Sequence, residues 1–257
     1  MRVFASCMSC QAELGHPSFE PIFAPYYEDR LATIKCSRGH TSTLMLQSLK
    51  FEVLLDSGAA ALAAGFTLEA AVSFSAALER FFEFCTRAML THQGLSAAHI
   101  EPVLAEMSRQ SERQLGAFLA LHRLVLGTPY SPSKKIVEFR NSVVHKGQIP
   151  TPTEVDDFCT RVYAEVLRIT GTLRARCGSA VQTVVSEDMR ARASKLPAGS
   201  KIATMACGSF FSLASEKNAP DFRTAFEAHT KWVELIVQAV PHMKALNAAI
   251  SSRPADA

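Results

Sequence analysis

The segment from Arg140 to His145 carries a cation, an amide and a titratable imidazole within about two helical turns. A neutral imidazole can remove the proton of a ribose 2′-hydroxyl, which lets the oxygen attack the neighbouring phosphorus. A guanidinium presents two parallel donors to a phosphate and can neutralise the charge that develops on it. On a helix Asn141 lies one turn from His145, so its amide could hold the imidazole or a phosphate oxygen in place. These residue types at this spacing are sufficient to cleave RNA without a metal.

The spacing from arginine to histidine is unselective by itself, because Arg87 and His92 repeat it elsewhere in the chain. The asparagine makes the pattern selective, since asparagine is scarce in this sequence and here it directly follows Arg140. Asparagine in a helix interior costs stability relative to alanine, so a polar cluster beside two valines indicates a function. The alternative is structural: Arg140 and Asn141 would brace a surface helix, and His145 would complement the helix dipole.

A second group of residues has the spacing of a metal site. Cys7 and Cys10 are separated by two residues, and Cys36 and His40 follow after an interval typical of zinc modules. Three thiolates and one imidazole fit tetrahedral zinc, although His16 is an alternative fourth ligand, because the step from Cys36 to His40 is one residue longer than usual. Four protein ligands leave no open position, so we expect a structural Zn²⁺ that holds a small module and does no chemistry. The module is similar to a zinc ribbon.

Composition describes a globular protein. The chain is 48% hydrophobic and 20% charged, and its longest nearly uninterrupted apolar stretch, at 58–66, is far shorter than the roughly twenty residues of a membrane span. The N-terminus lacks the apolar segment of an export signal, so we expect no membrane partner and a cytoplasmic location. Four cysteines scattered through helical patterns are expected to be buried, reduced thiols: Cys85, Cys159, Cys177 and Cys207.

The net charge of +3 is too small to identify a nucleic-acid binder from bulk electrostatics. Positive charge is locally dense, however. Lys134, Lys135 and Lys146 share a segment with Arg140, and Glu138 is the single acidic residue among them. This density would raise the local concentration of a polyanion, and the alternative is a solvated helix face.

The composition and the spacing of apolar residues change near residue 48. Up to that point the sequence is irregular and rich in proline, with β-like stretches at 31–35 and 41–46. From residue 49 onward apolar residues recur with helical spacing, so the remainder is predicted to be almost wholly α. The predicted helices cover about 49–63, 67–90, 96–127, 131–147, 151–176, 180–194 and 221–250, with the motif on the fourth.

From about residue 49 to residue 177 this arrangement resembles a HEPN domain, a helical family. Its ribonuclease members carry an arginine, usually a polar residue such as asparagine, and a histidine a few residues later. The layout is similar as well: two long helices packing together, a third, the helix with Arg140, Asn141 and His145, a break at 147–152 and a final helix. The resemblance covers about half of the chain. It implies a dimer whose motif helices meet near the two-fold axis and which cuts RNA without metal, leaving a 2′,3′-cyclic phosphate and a 5′-hydroxyl.

The resemblance also implies a role for each residue. His145 would be the general base or acid, Arg140 the phosphate and transition-state clamp, and Asn141 the orienting amide. Many HEPN proteins place an acidic residue on the second helix facing the motif, and Glu79 or Glu83 could match it. We select Glu79, with the alternative that both glutamates are merely solvated on an amphipathic helix.

We therefore expect a mainly α protein with a zinc-ribbon-like module at 1–48, a HEPN-like helical bundle at 49–178 and a helical C-terminal extension at 179–257. The expected function is a metal-independent endoribonuclease that acts on RNA as a homodimer. By family analogy it would be a toxin or an anti-phage defence effector, restrained by an antitoxin or another regulatory protein. The alternative is a non-catalytic dimeric binding module that uses the zinc ribbon for recognition. A zinc-dependent transcription regulator ranks last, because no convincing helix-turn-helix signature is present.

Overall fold

The computed structural model describes residues 2–107, 110–200, 202–205, 210–214 and 220–251. These residues are mainly helical, with a small strand region near the N-terminus, as expected. Within these ranges, no helix combines the length and the hydropathy that crossing a bilayer would require. The chain forms two compact units, called here the N-terminal unit (Met1–Ser48, Arg190–Gly208 and His229–Ala257) and the helical unit (Leu49–Met189 and Ser209–Ala228). The three-part division expected from the sequence stays a prediction.

The N-terminal unit contains short strands, one short helix and, from residue 229 onward, most of the long C-terminal helix. Its elements in the parts at 1–48 and 190–208 are β1 (Arg2–Ala5), α1 (Met8–Leu14), β2 (Ile22–Pro25), β3 (Leu31–Lys35), β4 (Thr41–Leu46) and β5 (Ile202–Met205). β1 pairs antiparallel with β2, β3 pairs antiparallel with β4, and β5 adds to β4 in parallel. The strands predicted at 31–35 and 41–46 are confirmed as β3 and β4. The sequence does not predict the other elements, because they are too short for a periodic signal.

The helical unit contains all of the longer helices up to residue 189. Its elements are α2 (Lys50–Ala63), α3 (Thr67–His92), α4 (Ala97–Met107), α5 (Ser111–Leu126), α6 (Lys134–Arg140), a π-helical turn (Asn141–His145), α7 (Pro152–Ala193, to residue 189) and the start of α8 (Phe222–Ser251). The single helix predicted at 96–127 is therefore wrong, since α4 and α5 are separate helices.

The two helices predicted at 151–176 and 180–194 are confirmed, because α7 consists of two helices joined across a kink at Cys177. Within α7 the backbone departs from helical angles only at Cys177 (φ −124°, ψ 25°). A glycine such as Gly178 costs a helix only about 1 kcal/mol. Burial of Ala180, Val181 and Val184 on the following turns outweighs that cost, so helical structure resumes directly after the kink.

The core of the helical unit is largely aromatic. Its largest fully buried side chains include Phe51, Phe74, Phe81, Phe118, Phe158 and Tyr163. Apolar residues on α3 recur every three or four positions, so one face of this helix is buried from end to end. The rings of Phe82 and Phe118 stack with centroids 4.5 Å apart and join α3 to α5. Buried thiols are confirmed at Cys85, Cys159 and Cys177, whereas Cys207 lies outside the described residues.

Gly58 permits the close approach of α2 to α3. A Cβ atom built on Gly58 would overlap the ring of Phe74, which is fully buried and has no space to move into. Gly116 on α5 is exposed, and a Cβ atom there would meet nothing within 4 Å. The two glycines therefore have opposite roles, although both lie inside helices.

We predict that Gly58→Ala lowers the free energy of unfolding by about 1–3 kcal/mol, because overpacking at Phe74 exceeds the gain in helix propensity. Gly116→Ala serves as the matched control and is expected to raise it by about 0.5–1 kcal/mol. Urea denaturation followed by far-UV circular dichroism measures both values. Equal effects of the two substitutions would contradict the close approach of α2 to α3.

Candidate active site and metal centre

The Arg140–His145 motif lies where α6 widens into the π-helical turn Asn141–His145. In an α-helix, residues five positions apart point about 140° away from each other. In a π-helix, whose hydrogen bonds join residues five apart, the wider turn makes that angle considerably smaller. Accordingly, Nη1 of Arg140 lies 3.5 Å from Nε2 of His145. The regular helix predicted through this segment is wrong, and the π-helical turn brings the guanidinium to Nε2 at the edge of the imidazole.

The pair Arg87 and His92 provides an internal comparison, because it has the same spacing inside the regular helix α3. There the guanidinium of Arg87 is directed to the carboxylates of Glu101 and Glu83. The same spacing therefore gives two different arrangements, and the π-helical turn distinguishes the motif from its copy.

A carboxylate on α3 completes the cluster. Nη2 of Arg140 donates to Oε1 of Glu79 in an ion pair whose side chains are 21% and 30% exposed. Glu83, the other acidic residue considered from the sequence, pairs instead with Arg80 at 2.5 Å and lies 3.9 Å from Arg87. The structure thus brings Glu79, and not Glu83, to the motif.

The contact between Arg140 and His145 constrains the state of the imidazole. A guanidinium can only donate hydrogen bonds, so Nε2 of His145 must act as the acceptor in this geometry. That assignment places the ring proton on Nδ1 and leaves a lone pair on Nε2. His145 is exposed, and a substrate hydroxyl would have to take the place of the Arg140 donor at Nε2 before this lone pair could act as a general base.

Asn141 lies close to the arginine. Its Oδ1 is 3.5 Å from Nη1 of Arg140, and it is the first residue of the π-helical turn. The structure gives Asn141 a contact with the guanidinium, where the sequence predicted one with the imidazole or with a phosphate oxygen. In this structure Asn141 is therefore placed to orient Arg140.

A pocket of about 260 Å³ adjoins the cluster. Glu79, Arg140 and Asn141 line it together with apolar and aromatic side chains from α3, α5, α6 and α7. Gln114 and Tyr130 also line it, and sequence reasoning missed both. No local pattern could have identified them, because the pocket forms only when four helices pack together.

The four cysteine and histidine residues expected to hold a metal lie close together in the N-terminal unit. Their ligand atoms, the Sγ atoms of Cys7, Cys10 and Cys36 and Nδ1 of His40, all lie within 4.8 Å of one another. Sγ of Cys10 is 3.7 Å from Sγ of Cys36, and Nδ1 of His40 is 3.3–3.7 Å from the three sulfur atoms. Sulfur atoms each 2.3 Å from a tetrahedral cation would be about 3.8 Å apart. The spacing therefore fits one four-coordinate cation.

Local backbone geometry explains these positions. Cys7 is the N-cap of α1, and its Sγ accepts the N–H of Cys10. Cys36 and His40 lie at the two ends of the turn between β3 and β4, closed by a hydrogen bond from the N–H of Cys36 to the carbonyl of His40 (3.1 Å). Gly39 has φ +87°, a conformation that favours glycine.

The structure also distinguishes the two candidate imidazoles. His16 directs Nδ1 to the carbonyl of Pro17, 2.8 Å away, and does not belong to the cluster. Nε2 of His40 lies 2.9 Å from a carboxylate oxygen of Glu13, while Nδ1 faces the sulfur atoms. A carboxylate that holds the outer nitrogen of a ligating histidine is a common feature of metal sites.

The thiols need a cation to ionise together. Burial, hydrogen bonds and the charges of Cys7 and Cys36 raise the pKa of Cys10 to about 12. A divalent cation stabilises thiolates directly and overcomes this cost. The donor set, its burial and its spacing therefore all fit a metal centre.

Comparison of the chain with protein-family models, with curated proteins and with solved structures gives no match.

We predict that the purified protein holds one tightly bound divalent cation per chain and that His40→Ala loses it. His16→Ala is the matched control and should retain the cation, because His16 lies outside the cluster. Metal content by atomic absorption, together with the reactivity of Cys7, Cys10 and Cys36 toward a thiol reagent, gives the readout. Retention of metal by His40→Ala, or its loss from His16→Ala, would contradict the assignment.

Proposed function

We propose that this protein is a metal-independent endoribonuclease of HEPN type that cleaves RNA through Arg140 and His145. The observation that carries the proposal is the cluster in which Arg140 is paired with Glu79 on one side and faces Nε2 of His145 on the other. An exposed imidazole beside a guanidinium held by a carboxylate has the components of phosphodiester cleavage, once the 2′-hydroxyl replaces the guanidinium at Nε2.

In the proposed reaction, His145 accepts the proton of the ribose 2′-hydroxyl. The 2′-oxygen forms a bond to phosphorus, and the bond from phosphorus to the 5′-oxygen breaks. The leaving oxygen takes up a proton from a second imidazole or from water, so the products are a 2′,3′-cyclic phosphate and a 5′-hydroxyl. Arg140 neutralises the charge on the phosphoryl oxygens, Glu79 orients Arg140, and Asn141 contacts Arg140 from the motif helix.

The surface around the motif supports a proposed homodimer. Val137, Val144 and Ile149 are 37%, 42% and 75% exposed, although all three are large apolar residues. Association of two copies through this surface would remove these side chains from water and bring the two motifs together. A composite site with two copies of His145 would then supply both the base and the acid.

Local charge supports RNA as the substrate. Lys134, Lys135 and Lys146 are exposed on the elements that carry the motif. Their charges would attract a polyanion to the site and would make binding dependent on ionic strength. We further propose that the enzyme acts in the cytoplasm as a toxin or anti-phage effector under the control of an inhibitory partner.

The cation in the N-terminal unit is proposed to be Zn²⁺ with a structural role. Cys7, Cys10, Cys36 and His40 supply four protein ligands, so no position is left for a substrate or a catalytic water. The cation would tie the start of α1 to the turn between β3 and β4, and cleavage would proceed without it.

One observation favours the second candidate, a non-catalytic dimeric binding module with the zinc ribbon as its recognition element. Glu79 neutralises Arg140, and an ion pair of this kind also occurs as a brace between packed helices. In that case the Arg140–Glu79 pair would join α6 to α3, and His145 would have no chemical role.

We predict that His145→Ala lowers the rate of single-stranded RNA cleavage by about 100- to 10,000-fold, because the general base is lost. Arg140→Ala is expected to lower it by about 100- to 1,000-fold through loss of charge stabilisation. The assay follows fragments with cyclic phosphate ends by gel electrophoresis and mass spectrometry. Brief exposure to EDTA should leave the rate unchanged.

His92→Ala is the matched control, since it removes an exposed histidine with the same spacing from an arginine, and it should cleave at the wild-type rate. Far-UV circular dichroism checks that each variant folds. Undiminished cleavage by folded His145→Ala would exclude the proposed mechanism. Absence of cleavage by the wild type together with intact RNA binding would favour the binding module.

A further inference from the structure

The pocket beside the motif combines apolar walls with one unsatisfied polar group. Its lining includes Leu78, Phe82, Tyr130 and Phe158 from the core side. The ring of Tyr130 is fixed by Phe118, at 5.1 Å between centroids, and by the guanidinium of Arg168, at 5.2 Å from the ring centroid. Flat, rigid aromatic walls of this kind accept a planar ring by stacking.

Gln114 is the polar group in question. It is only 5% exposed, and its Nε2 has no hydrogen-bond partner among the residues that the structure describes. Oε1 of Gln114 accepts from Nη2 of Arg80 at 2.9 Å. Because a guanidinium has no acceptor, this contact fixes the orientation of the amide and leaves Nε2 as the group that needs a partner. A buried donor without a partner is costly, so a ligand with a suitably placed acceptor would be bound there.

The pocket also offers an acceptor. Glu112 lines it near the beginning of α5, two residues before Gln114. Residues two positions apart on a helix point about 200° away from each other, so this acceptor and the donor of Gln114 do not address the same edge of a ligand. The donor of Gln114 by itself matches a base edge that carries a keto oxygen. Among the common nucleobases, uracil and guanine carry this edge, whereas cytosine and adenine present an amino group in place of the keto oxygen.

The volume of the pocket and its position beside the motif both suit a single nucleobase. A volume of about 260 Å³ is below the range of about 300–1,000 Å³ that is typical of sites for drug-sized ligands. Arg140 and Asn141 line the same pocket, so the phosphate that follows a bound base would lie toward the guanidinium. RNA-binding proteins commonly read single-stranded bases by stacking combined with hydrogen bonds to one edge.

We propose that this pocket binds the nucleobase that carries the attacking 2′-hydroxyl and that it selects uracil and guanine over cytosine and adenine. The proposal rests on the proposed ribonuclease function and adds a specificity-determining residue, Gln114, to it. Gln114 contacts the base and not the reacting atoms, so it positions the substrate.

The test uses Gln114→Glu, which keeps an acceptor for Arg80 and replaces the donor by a second acceptor. Gln182→Glu introduces the same charge at an exposed position of α7 and is the matched control. Wild-type protein and both variants cleave a randomised single-stranded RNA, and sequencing identifies the base that carries each cyclic phosphate. The wild type and the control should prefer uracil and guanine by about tenfold or more, and Gln114→Glu should lose or reverse that preference.

A binding measurement separates the two proposals. Equilibrium dialysis of uridine and cytidine 3′-monophosphates against His145→Ala should show about tenfold tighter binding of the uridine nucleotide, lost when Gln114→Glu is added. If the wild type cleaves without base preference, or if Gln114→Glu keeps the wild-type preference, the proposal that this pocket selects the base is overturned. The ribonuclease proposal is not affected by either result. If the wild type cleaves no RNA, the ribonuclease proposal fails. The dialysis then tests base binding by itself, and equal or absent binding of the two nucleotides overturns the proposed base selection.

Discussion

The alignment of Arg140 with His145 by the π-helical turn is the interaction on which the site depends. A single change of hydrogen-bond register, from four to five residues, turns the imidazole far enough for its Nε2 to come within reach of the guanidinium. The turn is anchored by the buried side chains of Ile136 and Val143, which fix α6 and the π-helical turn in the core of the helical unit. It ends at Gly147, whose φ of +69° stops the helix directly after the motif. The polar cluster is thus held by apolar packing on both sides.

Packing of α3 supplies the other half of the site. Its buried face is fixed by the aromatic core, and Glu79 projects from the helix toward Arg140. The same helix contributes the wall of the pocket through Leu78 and Phe82. Catalytic positioning and base selection would therefore depend on one rigid helix, which agrees with the general need for precise geometry at phosphoryl-transfer sites. In the N-terminal unit the strands are short, and the cysteine and histidine cluster has the spacing of a four-coordinate cation site.

Much of this arrangement could be predicted from the sequence, where the signals are local. Helical periodicity predicts α2, α3 and α8 with boundaries close to the observed ones, and alternation predicts β3 and β4. The spacing of Cys7, Cys10, Cys36 and His40 predicts the cluster, because knuckle-like turns depend on neighbouring residues only. The clustering of the metal-ligand candidates is the sharpest of these results, since it also distinguishes His40 from His16.

The remaining features depend on tertiary contacts. A π-helical turn has no sequence pattern of its own, so the alignment of Arg140 with His145 could not be read from the chain. Glu79 and Glu83 differ by about one helical turn, and only the packing of α6 against α3 distinguishes them. The parallel addition of β5 to β4 joins segments far apart in the sequence, and the base pocket combines residues from four helices. Long-range packing, which no local propensity encodes, determines each of these features.

The central claim is that Nε2 of His145 removes a proton from a ribose 2′-hydroxyl while Arg140 stabilises the adjacent phosphate. It is tested most directly by an RNA oligonucleotide with one mapped cleavage site, compared with the same oligonucleotide carrying a single 2′-deoxy substitution immediately before the scissile phosphate. The account predicts that the substitution abolishes cleavage at that bond and leaves binding of the oligonucleotide unchanged. Cleavage of the substituted bond at the original rate would show that another nucleophile attacks the phosphorus, and it would contradict the mechanism.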